Sequence, residues 1–556
     1  MPASTSRRVM ENFINLFEKS VKTRWDFPAL SDFRVSTETY AELAKKIEIL
    51  HLTWEGADLP KESKIAINAR SSSRWLEVFF ACATGKYVSV QMFNGFLPAD
   101  VQNLVNHSDS RVLYTEKATF DAMDFEKMPQ LEAIVNMENM EILASRGKFA
   151  ESLASAEERF AAKYPDGFTS DDVHYDSFGM EDVSAIMYTS GSTGNPKGVM
   201  LTVKNFSYNV KYLPVVFPFK ENECYTSILP FAHIFGLSCD GIVPICMGMH
   251  TVILGMPPIP SNVMALVQEY HPRIFLAVPL ILDKFVRFTL GAEMKSEEGA
   301  RKLANYKEYP EYCEELRAKV MGALGGRIES FATGGAAIPP EVESLLAFKI
   351  KMPFLTGYGM TETAPLISCG KAGNYKAKSC GEMAPGIQYR IDSPDQENIP
   401  GELQIKGDNV YAGYYKNPEA TAATFTADGW FRTGDIGTID KDQTLFLVGR
   451  CKNVLLSSNG QNIFPEEIEV ILNTLPYVAE SIIVQRDNCL HAIIVPRLDD
   501  ATNANLDMQT LNNVMEMNIK KLNASIPAYA AINSYELRME PFAKTPKGSI
   551  RRFMYA

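Results

Sequence analysis

The residues from Thr189 to Gly198 combine hydroxyl groups, glycines and one lysine in a way that suits the binding of anionic oxygens. The segment reads Thr-Ser-Gly-Ser-Thr-Gly-Asn-Pro-Lys-Gly and follows a short apolar run. Glycines let backbone N–H groups approach a phosphate closely, hydroxyls add short donors, and Lys197 supplies a mobile positive charge. Composition alone is equally compatible with a flexible surface loop. In the more familiar phosphate loop the lysine is followed by Ser or Thr, whereas Gly198 follows here, so a different type of phosphate loop is predicted.

Short apolar runs that alternate with helix-like segments would have to position this loop. The runs often end in Gly, Pro or Ser, and such alternation indicates layered α/β structure with mostly parallel sheets. They lie at Lys64–Asn68, Val112–Thr115, Ala133–Val135, Ala185–Tyr188, Thr251–Leu254 and Arg273–Val278.

The pattern changes towards the C-terminal end. Glu402–Gly407 alternates like an exposed strand, and Leu445–Val448 predicts another. Pro465 suits the first turn of a helix, which is supported by apolar residues at helical spacing at Ile468, Ile471, Leu472 and Leu475. Two further runs predict a hairpin, namely Ser481–Gln485 and His491–Pro496.

We therefore expect two domains that meet near Arg450. Residues 1–449 would form a large α/β domain with several subdomains, and residues 450–556 would form a small α+β domain of about 100 residues. The polar sequence from Gly449 to Asn453 marks the proposed break between them.

Composition narrows the class of protein. The 556 residues are 46% hydrophobic and 22% charged, as in a globular protein, and the formal net charge of -12 argues against nucleic acid as the main partner. The nine cysteines form no C-x-x-C pair and suit a reducing compartment. The N-terminus does not read as a secretory signal, and the most apolar window, Phe231–Met256, is too interrupted for a transmembrane helix. A cytoplasmic location is predicted, and peripheral membrane contact is left open.

The segment Met187–Val199 resembles the signature of the AMP-forming acyl-CoA synthetase and ligase superfamily, which includes luciferases and the adenylation domains of peptide synthetases. Further family motifs follow in the expected order through nearly the whole chain, which is most similar to bacterial long-chain fatty acid–coenzyme A ligases. The resemblance implies the adenylate-forming enzyme fold, in which a small mobile C-terminal domain rotates about a hinge residue, here Lys452.

The resemblance also implies roles for the residues of Thr356–Glu362. The ring of Tyr358 would stack on adenine, Thr361 would bind the α-phosphate, and Glu362 would hold Mg²⁺, which prefers carboxylate oxygens. Thr189 is the second predicted metal ligand. An isolated glutamate in a glycine-rich loop would more often be merely solvated.

Other family motifs supply the ribose and acyl sites. Asp435 would accept hydrogen bonds from both ribose hydroxyls, with Arg450 nearby. His233 would lie near the substrate carboxylate, although on its own it is more simply explained as a core histidine bonded to backbone. The predicted nucleotide-binding residues are Thr189, Ser190, Gly191, Ser192, Thr193, Gly194, Lys197, Gly334, Gly335, Ala336, Tyr358, Gly359, Asp435, Arg450 and Lys452.

The chain departs from the family near its C-terminus. Ser549 stands where the family has a lysine that bridges the substrate carboxylate and the α-phosphate. Lys547, two residues away, could take over, because an extended chain covers that separation in roughly 7 Å. Arg551 or Arg552 could supply the charge instead, or adenylation could be slow or absent. The predicted catalytic residues are Lys547, His233, Thr361 and Glu362.

The expected reaction has two half-reactions. A carboxylic acid, expected to be a medium- or long-chain fatty acid, attacks Mg·ATP to give acyl-AMP, and the thiol of coenzyme A then takes the acyl group. The alternatives are a different acceptor, either an acyl carrier protein or an amine, and a protein that binds nucleotide or acyl-adenylate without efficient catalysis.

Overall fold

The computed structural model describes residues 12–176, 178–189, 196–456, 461–486, 489–504, 506–544 and 550–555. Several predicted site residues lie outside these ranges, namely Ser190, Gly191, Ser192, Thr193, Gly194, Lys547 and Ser549. Their predicted roles stay predictions.

Strands and helices alternate along most of the described chain. The strands are β1 (Pro28–Asp32), β2 (Ser36–Thr39), β3 (Lys64–Asn68), β4 (Val88–Gln91), β5 (Ser110–Thr115), β6 (Ala133–Asn136), β7 (Ile142–Ser145), β8 (Val183–Thr189), β9 (Lys197–Thr202), β10 (Cys224–Ser227), β11 (His250–Ile253), β12 (Ile274–Ala277), β13 (Ser330–Gly334), β14 (Phe354–Gly359), β15 (Leu366–Cys369), β16 (Glu382–Met383), β17 (Gln388–Asp392), β18 (Gly401–Lys406), β19 (Gly413–Tyr414), β20 (Phe431–Ile439), β21 (Leu445–Arg450), β22 (Leu455–Leu456), β23 (Asn462–Ile463), β24 (Val478–Arg486), β25 (Cys489–Pro496) and β26 (Ile532–Leu537).

The α-helices are α1 (Phe13–Thr23), α2 (Tyr40–Gly56), α3 (Ser73–Thr84), α4 (Pro98–Ser108), α5 (Lys117–Phe120), α6 (Phe149–Ala154), α7 (Ala156–Lys163), α8 (Val203–Val216), α9 (Val243–Cys246), α10 (Pro260–Tyr270), α11 (Pro279–Lys295), α12 (Glu297–Ala304), α13 (Pro310–Ala323), α14 (Pro340–Glu343), α15 (Pro418–Ala422), α16 (Pro465–Leu472), α17 (Leu498–Asn503) and α18 (Met508–Asn523). π-Helices cover Gly236–Ile242 and Ser344–Lys349. Short 3₁₀ helices cover Phe125–Lys127, Ser170–Asp172, Thr361–Thr363, Cys451–Asn453, Ala528–Ala530 and Arg552–Met554.

The largest sheet in the described ranges has eight strands in the order β19-β9-β8-β4-β3-β5-β6-β7. Its central pairs, from β8 to β6, are parallel, whereas the outer pairs are antiparallel. Strand β4 is buried throughout, as expected for a parallel strand covered on both faces. The six apolar runs predicted as strands are all strands in the structure.

The large domain contains three further sheets. They run β10-β11-β1-β2, β12-β13-β14-β15-β16 and β17-β18-β20-β21. The last of these sheets is antiparallel throughout. The strand predicted at Glu402–Gly407 is present as β18, but the prediction that it is exposed was wrong. Strand β18 is interior to this sheet, and Gln404 is only 3% exposed. Its amide oxygen accepts a hydrogen bond from Arg390 Nε at 2.7 Å, which offsets the cost of burying it.

The small domain contains the sheet β24-β25-β26. The predicted hairpin is confirmed by the antiparallel pairing of β24 with β25, and the predicted helix is α16. Helix α16 ends at Leu472, so Leu475 lies beyond it but is still buried in the same core. The opposite face of the sheet is covered by the C-terminal segment through Phe542, Ile550 and Tyr555.

Two main hydrophobic cores correspond to these two parts. Buried residues of the first lie between Phe13 and Leu445, and those of the second lie between Ile463 and Ile532. Arg450, the predicted boundary, lies in the interval between the cores, and its exact position stays a prediction. No helix in the described ranges has both the length and the apolar character needed to span a bilayer.

The π-helix Gly236–Ile242 carries a fully buried carboxylate, that of Asp240. It accepts hydrogen bonds from Tyr225 Oη at 2.8 Å and from the backbone N–H groups of Ile228 and Leu229 at 3.1 and 3.0 Å. Burial raises the pKa of Asp240 to about 7, and these donors only partly oppose the rise. Asp240 therefore fixes the backbone at the start of the segment that contains His233.

We expect the Asp240→Asn variant to gain stability relative to the natural protein as pH rises. The pKa of Asp240 in the folded state lies above its usual value. The free energy of unfolding that protonated Asp240 contributes is therefore fully present below pH 3.8 and is lost as pH rises through about 7. Asparagine cannot ionise, and its amide can serve the same partners. The difference in melting temperature between the two proteins, measured from pH 5 to 8, cancels all shared titrations. A difference that does not change with pH would contradict the assignment.

Candidate functional site

The ends of the predicted phosphate loop are fixed by strand pairing. Thr189 and Lys197 lie opposite each other at the ends of β8 and β9, and β19 pairs with the outer edge of β9. The Thr189 hydroxyl makes a long hydrogen bond of 3.5 Å to the Lys197 carbonyl. The Lys197 ammonium lies 4.7 Å from the ring centroid of Tyr414, within the range of a cation–π contact.

The turn after β14 brings Tyr358, Thr361 and Glu362 to the same side. Gly359 is required there, because a Cβ at this position would lie 1.7 Å from the Pro365 carbonyl oxygen. Thr361 is buried at the start of the 3₁₀ helix Thr361–Thr363. The carbonyl of Ala364, just after this helix, accepts hydrogen bonds from two side chains, Ser238 at 2.7 Å and Asn209 at 2.6 Å.

Among the described residues, the Glu362 carboxylate has one hydrogen bond to a protein side chain. Its Oε1 accepts a bond of 2.8 Å from the Tyr414 hydroxyl, and its backbone carbonyl accepts one of 2.9 Å from the N–H of Tyr411. Within the described ranges no lysine, arginine or histidine pairs with Glu362 within 4.0 Å. One carboxylate oxygen is therefore left to bind a cation.

The Asp435 carboxylate is buried between two partners from different strands. The Tyr358 hydroxyl donates to Oδ2 at 2.5 Å, and Arg450 Nε lies 2.8 Å from Oδ1. Asp435 and Arg450 face each other across β20 and β21. Burial raises the pKa of Asp435 and Arg450 opposes the rise, while Asp435 raises the pKa of Arg450. The pair therefore stabilises the charged forms of both groups in a partly buried place.

Positive charge gathers beside this pair. The pKa of Lys452 is lowered by partial burial and by the charge of Arg450, with a smaller contribution from Lys197. No carboxylate in the described part of the chain pairs with Lys197 or Lys452 within 4.0 Å. Like charges that converge without a partner make a suitable place for an anion such as a phosphate chain.

The predicted acyl side of the site lies next to β14. Gly334 faces Gly357 across β13 and β14, and a Cβ on Gly334 would lie 2.8 Å from the Gly357 carbonyl oxygen. Gly335 has φ +84°, which favours glycine, and Ala336 is exposed. His233 Nδ1 accepts the backbone N–H of Phe235 at 3.3 Å, so its neutral ring would carry the proton on Nε2.

Arg552, one of the two arginines considered as a substitute for the family lysine, forms an ion pair within the small domain. Arg552 pairs with the buried Glu469 of α16, and Glu469 also accepts the Ile483 N–H at 2.7 Å. Arg552 therefore holds the small domain together in this structure. Lys544 pairs with Glu480 and forms a β-bridge with Ile550, so both ends of the interval that contains Lys547 are anchored.

The donors present fit a magnesium ion that is held largely by a nucleotide. No group of three or more His, Cys, Asp or Glu side chains in the described ranges could hold a metal ion by itself. Glu362 nevertheless offers a carboxylate oxygen close to the end of the phosphate loop, and Mg²⁺ commonly uses one or two carboxylates together with phosphates and water. The roles of Glu362 and Thr189 as metal ligands stay predictions.

Sequence reasoning brought most of these residues together but missed Tyr414 and Asp240. Tyr358, Glu362, Asp435, Arg450, Lys197 and Lys452 form one connected cluster. The Gly413-Tyr414 pair carried a weak signal, because a glycine beside an aromatic residue resembles a turn rather than a site. Asp240 was visible only as an interruption of an apolar window.

The chain is similar to known proteins along nearly its whole described length. The sequence pattern of the AMP-binding enzyme family matches residues 17–415, and that of the AMP-binding enzyme C-terminal domain matches residues 452–555. A peroxisomal long chain acyl-CoA synthetase 6 of Arabidopsis thaliana is 27% identical over 76% of this chain and 63% of its own length. The long-chain-fatty-acid–CoA ligase FadD15 of Mycobacterium bovis is 24% identical over 80% of this chain and 75% of its own.

Solved structures share the fold at low sequence identity. ATP-bound MatB from Rhodopseudomonas palustris superimposes with a TM-score of 0.76 at 19% identity, covering 98% of both chains. The present chain spans less than two thirds of the plant relative's length. The fold is the adenylate-forming enzyme fold, with a large N-terminal and a small C-terminal domain. With the family pattern matched over most of its length, the chain belongs to the AMP-binding enzyme family.

Proposed function

We propose that this protein uses ATP to activate a carboxylic acid as an acyl-adenylate and then transfers the acyl group to coenzyme A. The observation that carries the proposal is the Asp435 carboxylate, which lies between Tyr358 and Arg450. Lys452 and Lys197 lie nearby, and neither has a carboxylate partner among the described residues. This arrangement offers a hydrogen-bond acceptor for a ribose next to positive charge for phosphates.

In the first half-reaction a carboxylate oxygen of the acid attacks the α-phosphorus of ATP, and the bond to pyrophosphate breaks. Lys197 and Lys452 stabilise the phosphate charges, and Tyr358 and Asp435 orient the adenosine. Mg²⁺ held by Glu362 would neutralise part of the charge on the phosphates. Positioning and charge stabilisation supply most of the rate, because no protein nucleophile is needed.

In the second half-reaction the thiolate of coenzyme A attacks the acyl carbonyl carbon, and the bond to AMP breaks. Rotation of the small domain about Lys452 would open the site to the thiol. The hinge segment is linked to the small domain, since Asn453 Nδ2 donates to Glu466 of α16 at 2.5 Å. Both residues follow Lys452 in the chain, so this contact can persist while the domain turns.

A medium- or long-chain fatty acid is the proposed substrate. The support is the similarity to proteins named as long-chain acyl-CoA synthetase or ligase. An acyl carrier protein or an amine is the alternative acceptor. A second function, nucleotide or acyl-adenylate binding with little catalysis, is favoured by Ser549 at the position of the family lysine. A cytoplasmic location stays a prediction.

A coupled AMP-release assay tests the proposed function. We expect ATP- and magnesium-dependent AMP formation with fatty acids of medium or long chain, and acyl-CoA formation only when coenzyme A is present. The panel should run from two to eighteen carbons and include small aromatic acids. AMP release that requires an amine or a carrier protein instead would change the acceptor. Absence of AMP with every acid, while ATP still binds, would favour the binding-only alternative.

The Asp435→Asn variant is expected to weaken ATP binding. Loss of one charged hydrogen-bond acceptor typically costs about 1.5–3 kcal/mol, so the KM for ATP should rise roughly ten-fold or more while the KM for the acid changes little. Steady-state kinetics with each substrate varied in turn measure the KM for ATP and the KM for the acid separately. Asp442→Asn, on an exposed turn, is the matched control. An unchanged KM for ATP would exclude Asp435 from the ribose site.

Lys547→Ala is expected to slow adenylation by ~10²–10³, the usual cost of losing one preorganised charge donor. Acid-dependent exchange of labelled pyrophosphate into ATP isolates this half-reaction. Ser549→Lys restores the family residue and should raise the exchange rate of the Lys547→Ala protein. Full exchange in Lys547→Ala would show that Lys547 does not replace the missing lysine, and Arg551→Ala would then be tested.

A further inference from the structure

The two-residue strand β19 fixes the backbone of Tyr414 against the strand that carries Lys197. Gly413 and Tyr414 pair with Met200 and Val199 of β9. On either side of β19, the Ala412 N–H donates to the Met200 carbonyl at 3.0 Å and the Tyr415 N–H donates to the Gly198 carbonyl at 2.7 Å. The Tyr414 N–H itself donates to Thr421 Oγ1 at 2.8 Å. Tyr414 therefore has little freedom to move relative to the base of the phosphate loop.

The same short segment holds Glu362 at two points. The Tyr411 N–H donates to the Glu362 carbonyl at 2.9 Å, and the Tyr414 hydroxyl donates to Glu362 Oε1 at 2.8 Å. The ring of Tyr411 packs edge-on against the ring of Tyr414 at 5.1 Å, and both side chains are buried. One segment thus positions both the loop base and the carboxylate.

Tyr414 also stands between two opposite charges. Its hydroxyl contacts the Glu362 carboxylate, and its ring contacts the Lys197 ammonium at 4.7 Å. Lys197 and Glu362 do not pair within 4.0 Å, and neither has another ion-pair partner in the part of the chain that the structure describes. A smaller side chain at position 414 would let the two charges move together and neutralise each other.

We propose that Tyr414 is a positioning residue of the nucleotide site, which keeps Lys197 and Glu362 apart and in place for the phosphates and the cation of Mg·ATP. The proposal rests on the proposed function. A neutral phenol can hold both groups without cancelling either charge, because its hydroxyl donates to the anion while its π-face attracts the cation. Fixed groups of this kind need little rearrangement when the nucleotide binds.

The neighbouring Tyr415 provides a matched control. Its hydroxyl donates to Asp109 Oδ2 at 2.7 Å rather than to Glu362. The Tyr415→Phe variant therefore removes one tyrosine hydroxyl from the adjacent residue and leaves the Glu362 and Lys197 contacts intact. Its kinetics report any general effect of changing this segment.

The experiment compares Tyr414→Phe, Tyr414→Leu and Tyr415→Phe in the full-length protein. ATP binding is measured by calorimetry with excess Mg²⁺ and again with EDTA, and the KM for Mg·ATP and for the acid are measured in the AMP-release assay. Melting temperatures establish that each variant is folded.

Tyr414→Phe keeps the ring and loses the hydroxyl. We expect the KM for Mg·ATP to rise roughly ten-fold, as for loss of a hydrogen bond to a charged group, with unchanged ATP affinity in EDTA. Tyr414→Leu also loses the ring contact and lets Lys197 approach Glu362, so its ATP affinity in EDTA should fall by a factor of about two to five. The KM for the acid should stay the same in both variants.

Equal behaviour of Tyr414→Phe and Tyr415→Phe would overturn the proposal, as would a loss in Tyr414→Phe that is the same with Mg²⁺ and with EDTA. These outcomes differ from failure of the proposed function, in which the unmodified protein binds no Mg·ATP or releases no AMP. If Tyr414→Leu does not fold, the magnesium-dependent effect of the isosteric Tyr414→Phe variant decides the question alone.

Discussion

The burial of the Asp435 carboxylate is the constraint on which the site depends. A carboxylate with so little exposure needs partners, because an unpaired buried charge is strongly destabilising. Tyr358 comes from the end of β14 and Arg450 from the end of β21, so satisfying Asp435 brings the five-stranded sheet against the antiparallel sheet. The hinge segment begins directly after Arg450, and its path is therefore set by the same contact.

Those parts of the fold that are specified locally could be predicted from the sequence. The middle of strand β8 reads as a continuous apolar run because both of its faces are covered. The hairpin of β24 and β25 is formed by neighbouring segments. The interior position of β18 could not be predicted. Gln404 looked exposed because a polar residue alternated with apolar ones, and only its long-range bond to Arg390 makes burial favourable.

In the candidate site, too, residues within long local motifs could be predicted, whereas residues placed by long-range contacts could not. Asp435, Arg450, Tyr358 and Glu362 stand in long motifs, and the structure brings them together. Tyr414 stands in a two-residue strand whose register against β9 decides what it contacts, and a single sequence does not state that register. Arg552 was one candidate for the missing charge, but its pairing with Glu469 uses it within the small domain. Lys547 lies outside the described residues, so its role stays a prediction.

The two carboxylates of the site have the same kind of hydrogen-bond donor but differ in whether a cation compensates their charge. Each accepts a hydrogen bond from a tyrosine hydroxyl, Asp435 from Tyr358 and Glu362 from Tyr414. Asp435 also pairs with Arg450, so its charge is largely compensated, which suits a neutral partner such as a ribose diol. Among the described residues no cation forms an ion pair with Glu362 within 4.0 Å, and a carboxylate without such a partner suits a metal ion. Tyrosine can fix both groups because it donates a hydrogen bond without adding charge, so the different task of each carboxylate follows from whether an arginine is also present.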